Sequence, residues 1–187
     1  MSNNIIESIQ VNLGLPPLQK VDPNIQEAKD KNSISSGAKL SQAAIPAVVA
    51  GFYRLSRTGE GCRQIQASRA SGDWLNAVFG DKKAEVVEKV AQYANVTRDE
   101  VEPRMEEIAT EAISISSKEK TVAIGNETAL REYMSLQRHN ILVYLPAAMQ
   151  IGDLLNDNSM DDRTNKMEGP MSNLMHKIEN AMARGKS

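Results

Sequence analysis

An all-α fold is what this sequence predicts, and three features carry the prediction. Apolar residues recur at three- and four-residue intervals in one segment after another. Residues that extend helices readily (Ala, Glu, Lys, Leu, Met, Gln) are plentiful, whereas strand-forming runs of Val, Ile, Thr and Tyr are few. Only 4% of the 187 residues are aromatic while Met occurs 9 times, so small and adaptable side chains must fill the interior. The expected architecture is a compact bundle of about seven to nine helices, with a short N-terminal helix and a flexible arm ahead of it. Residues 1–37 form the N-terminal helix and polar linker arm, and 38–187 the helical domain.

Each element follows from local pattern. Ile5, Ile6, Ile9 and Leu13 define a short amphipathic helix over 3–13, ended by Gly14, Pro16 and Pro17. From Leu18 to Gly37 the text is polar and irregular and reads as a linker that docks its helix on the same chain or on a neighbour. Leu40, Ile45, Val48, Val49, Phe52 and Leu55 give a wide apolar stripe from about Leu40 to Ser56. Pro46 within it predicts either a kink or a helix start, and Thr58-Gly59-Glu60-Gly61 a stop. Short helices are expected near Cys62–Ala70 and Trp74–Phe79. Asp81 reads as the N-cap of a helix over 82–94, and Thr97 with Glu100 as a capping box opening a helix to about Ser114. Residues 115–125 read as a connection. Asn126 caps a helix through about His139, and the apolar stretch 141–155 is broken by Pro146. A polar loop over 156–166 precedes a last helix opened by Pro170, with Met171, Leu174, Met175, Ile178 and Met182 on one stripe.

Composition removes several functional classes. Twenty-two basic against 24 acidic side chains leave a charge of −2, unlike a polycationic nucleic-acid coat or a polyanionic tail. No apolar run is long enough for a membrane span, and MSNNIIESIQ lacks the basic patch and apolar core of a secretion signal. A single cysteine, Cys62, allows neither an intrachain disulfide nor a multi-cysteine metal site. A soluble cytoplasmic protein is expected.

Four constellations invite chemistry. The spacing Ala91…Asn95-Val96…Val101 is that of a helix-turn-helix-like pair over 82–114. Its second helix, however, sets Arg98 and Arg104 against Asp99, Glu100, Glu102, Glu106, Glu107 and Glu111, which repels a phosphate backbone. Conversely, Arg54, Arg57, Arg63 and Arg69 face only Glu60 across 52–72, giving a solvated basic face, an anion site or a dock for the acidic helix. In loop 157–168, Asp157, Ser159, Asp161, Asn165 and Glu168 place oxygens at calcium-loop positions, but Asp162 stands where the sharp turn needs glycine. Finally, Cys62 with His139 or His176 is the one conceivable nucleophile–base pair. No phosphate-binding loop, nucleophile elbow, zinc-protease or dinucleotide motif occurs. Neither catalytic nor metal- or cofactor-binding residues are assigned, and no cofactor is expected.

The apolar-Pro-Ala steps at 44–49 and 144–149, together with VAQYANVTRDEV, resemble small all-helical bacterial proteins of uncharacterised function over about 40–155. The resemblance implies an all-α cytosolic bacterial protein and transfers no functional residue. The expected role is a non-catalytic interaction or structural module that binds itself or another protein, not an enzyme and not a membrane or nucleic-acid binder. The alternatives are a DNA-binding regulator through 82–114 and a calcium-responsive protein through Asp157, Asp161 and Glu168.

Overall fold

The computed structural model describes residues 4–22, 27–28, 34–68, 72–118 and 127–157. Within them the chain forms α1 (Ile5–Asn12), α2 (Ser36–Ser56), α3 (Gly59–Ala67), α4 (Trp74–Phe79), α5 (Lys83–Ala94), α6 (Arg98–Lys118), α7 (Glu127–Tyr144) and the single turn α8 (Ile151–Leu154). The only sheet among the described residues is a two-residue antiparallel ladder, Val21–Asp22 on Glu27–Ala28, inside the stretch expected as linker. The fold is all-α.

Helix α2 is the axis. Every residue from Ser41 to Tyr53 is buried, so the helix has no solvent face through its middle. It touches α1, α3, α4, α5, α6, α7 and α8. Ala43, Ala44, Ala47, Ala50 and Gly51 make that encirclement possible, because small side chains let neighbouring backbones come close. At Gly51 a Cβ would lie 2.4 Å from Val78 Cγ1 on α4. The helix begins at Ser36, with Ser35 Oγ accepting the Ala38 N–H at 3.2 Å, and continues through Pro46. Pro46 is thus a mid-helix residue, not the helix start.

Glycines 59 and 61 open α3 instead of ending α2. Thr58 Oγ1 accepts the Gly61 N–H at 3.0 Å, and the Thr58 carbonyl accepts the Cys62 N–H at 3.0 Å. Gly61 lies so close to α2 that an added Cβ would meet the Leu55 carbonyl oxygen at 1.8 Å. The expected cap at Asp81 is also different: a 3-10 turn occupies Gly80–Lys82, and Lys82 precedes α5 with no side-chain cap. Gly80, at φ +54°, turns the chain and delays the helix. Thr97 does precede α6, and Glu100 Oε2 accepts both the Thr97 N–H at 2.9 Å and its hydroxyl at 3.0 Å. Helix α6 runs to Lys118 because Ile113, Ile115 and Ser116 extend its buried side. Helix α7 passes through His139-Asn140 without a break, since Leu130, Met134, Gln137, Ile141 and Tyr144 keep an unbroken helical spacing. Past Tyr144 the chain is extended at Pro146, then forms a 3-10 turn over Ala147–Met149 before α8. The Asn126 cap and the helix from Pro170 lie outside the described residues.

The N-terminal helix is part of the core. Ile5, Ile6 and Ile9 have no exposed surface, and α1 packs on α6, α2 and α7 of its own chain. Gln137 Oε1 accepts the Ile5 N–H at 3.1 Å and the Asn140 amide at 2.8 Å. Tyr144 donates its hydroxyl to Glu7 Oε1 at 2.8 Å, and Asn12 donates to Glu111 Oε1 at 2.7 Å. Leu15, ahead of the expected linker, and Leu18, its first residue, continue this packing. Gln42, buried on α2, accepts the Gln19 N–H at 2.8 Å and donates to the carbonyls of Gln19 (3.0 Å) and Tyr144 (2.8 Å).

Three outcomes follow. Gly61→Ala forces a Cβ into backbone and lowers the free energy of unfolding by about 2 kcal/mol or more in urea titrations. Gly37→Ala has open space around it inside a helix and raises that free energy by about 0.5–1 kcal/mol. Burial and the bond to Glu7 push the Tyr144 phenol up to about 12. Below the unfolded phenol's pKa of about 10 the native and unfolded states are both protonated, and the contribution is fully present. Between there and about 12 the folded state keeps a proton the unfolded state has lost, so stability falls as pH rises. Thermal melts across pH 9–12 show that fall in the wild type, and Tyr144→Phe makes it shallower.

Candidate functional site

The residues singled out above fall on three parts of the fold. The first is the α5–α6 pair. Its turn is built as the spacing predicts: Asn95 adopts the left-handed conformation at φ 56°, the Val96 N–H bonds the Ala91 carbonyl at 3.1 Å, and Ala91 and Val101 are buried. The outer surface of α6 is carboxylate-rich, and its arginines already have acidic partners, Arg98 with Glu88 and Arg104 with Glu107 at 2.5 Å. The bond from Arg98 and a second from Gln92 hold the Glu88 carboxyl below its ordinary range. A helix with this charge repels a phosphate backbone.

Between α4, α5 and α6 lies an open depression of about 520 Å³ lined by Asp73, Lys83, Asp99, Glu102, Pro103 and Glu106. Glu106 projects from α6 and accepts the Trp74 N–H at 2.5 Å and the Leu75 N–H at 3.1 Å. One carboxylate thereby satisfies two of the unpaired amides at the start of α4 and complements the positive end of that helix. Lys83 Nζ sits 2.6 Å from Glu102, and this bond raises the ammonium pKa. Glu102 and Glu106 of this wall join α5 and α4 to α6. No group of three or more His, Cys, Asp or Glu among the described residues is arranged to hold a metal ion.

The second part is the arginine stretch. Arg57 Nη1 reaches both oxygens of Asp157, at 3.0 and 3.1 Å, while its guanidinium lies 5.9 Å from the centre of the Tyr53 ring. Arg63 pairs with Glu60 at 2.8 Å and Glu127 at 3.4 Å. Arg57 and Arg63 therefore bind the starts of α3 and α7 and the turn after α8, not the carboxylates of α6. Arg69 lies outside the described residues. Asp157 is 6% exposed and held by Arg57, so the first oxygen ligand of the suggested calcium loop is committed to an ion pair. The remaining calcium-loop positions, Asp161 and Glu168 among them, lie outside the described residues.

Cys62 is the third. Its thiol has no exposed surface and points at the carbonyls of Ser56 (3.2 Å) and Glu127 (3.7 Å). Burial pushes the thiol pKa up; Arg131 and Arg63 pull the other way without overcoming it. This is a neutral hydrogen-bond donor locking the α2–α3 corner to the start of α7. His139 lies on the exposed side of α7, and His176 lies outside the described residues.

Compared with known proteins, the chain matches no family model, no curated relative and no solved structure.

Sequence reasoning missed Gln42 and Glu106, the side chains that fix how the helices meet. A trace of one was present, since Gln42 interrupts an apolar stripe; Glu106 is one of six acids on α6, and nothing local sets it apart. Cys62 supplies a test. In the folded chain its reaction with a disulfide reagent at pH 8 is at least 100-fold slower than in denaturant, following absorbance of the released thiol.

Proposed function

We propose that this chain is a non-catalytic helical interaction module that associates with copies of itself. The reading is supported chiefly by how the described helices use their apolar stripes. They cover one another so fully that Val11 and Leu136 are the only large apolar side chains left exposed among the described residues. The sequence holds one further stripe, Met171, Leu174, Met175, Ile178 and Met182, beyond the point where Arg57 grips Asp157. Apolar residues spaced over this width need a cover, and methionine-rich surfaces adapt to a partner. The neutral, buried Cys62 thiol supports a role without nucleophilic chemistry.

No described helix is long and apolar enough to cross a membrane. With a single cysteine and near-balanced charge, the setting we infer is the cytoplasm, in a bacterial cell if the resemblance of the 40–155 pattern holds.

Light scattering on the full chain tests the association. The wild-type mass rises from one copy toward two as concentration increases. Leu174→Glu with Ile178→Glu shifts the apparent dissociation constant at least tenfold, while far-ultraviolet circular dichroism is unchanged. A wild-type chain that stays monomeric at every concentration, or a doubly substituted chain that associates as before, overturns the proposal.

A further inference from the structure

We draw no further inference here: the strongest candidate, the open carboxylate-lined depression between α4, α5 and α6, carries nothing, because Glu102 there already binds Lys83, Glu106 already binds the first amides of α4, and nothing in the structure points to a ligand.

Discussion

A helix buried on all sides along thirteen consecutive residues leaves its neighbours little choice. Whatever surrounds Ser41–Tyr53 must present apolar surface toward it from every direction, and the chain supplies that surface in order, with α3 and α4 close by in sequence and α5, α6 and α7 returning past it. The encirclement requires α2 to be thin, which the alanines and Gly51 ensure, and requires its few polar atoms to be matched. Gln42 shows how strict that matching is. Its amide bonds the backbone at Gln19 and Tyr144, so one side chain aligns the N-terminal segment, the central helix and the end of α7.

Similar clasps recur wherever two elements meet. Gln137 receives the first amide of α1, Glu106 receives the first two amides of α4, and Cys62 bonds carbonyls at the end of α2 and the start of α7. Each side chain finishes a helix end or turn that would otherwise leave buried backbone groups unpaired. Direction comes from these bonds more than energy does. A hydrogen bond nets only about 1 kcal/mol, whereas a buried group without one costs about 1–3 kcal/mol, so the alternatives are penalised more than the native arrangement is rewarded.

The same economy explains why charge does not point to a ligand. Arginine-rich and acid-rich stretches look complementary along the sequence, yet they do not pair with each other: Arg57 binds Asp157, Arg63 binds Glu60 and Glu127, Lys83 binds Glu102, and Arg98 binds Glu88. Most of these pairs lie at the surface, where water screens them and each adds little to stability. The Arg57–Asp157 pair differs because its carboxylate is inside, where solvent and salt screen the attraction less.

The sequence by itself determined the fold class, the buried face of nearly every helix and the α5–α6 turn, because these depend on spacing within one segment. Ile5, Val48, Val90, Met105 and Ile141 are all inside, as periodicity requires. Its errors lie at boundaries. The stop after Ser56 is where the sequence places it, but the next helix starts at Gly59 and not near Cys62, and at Gly61 close approach to the Leu55 carbonyl demands the missing Cβ. His139-Asn140 read as an end because polar residues there face water, although the buried stripe runs on beneath them. Only the tertiary structure decided what each polar side chain does. Gln42 and Gln19, Glu106 and Trp74, and Arg57 and Asp157 are 23, 32 and 100 residues apart, and no local pattern relates them. Those partnerships exist because hydrogen bonds and ion pairs act over a few ångströms, and which distant residues come that close is settled by how the whole bundle closes around α2.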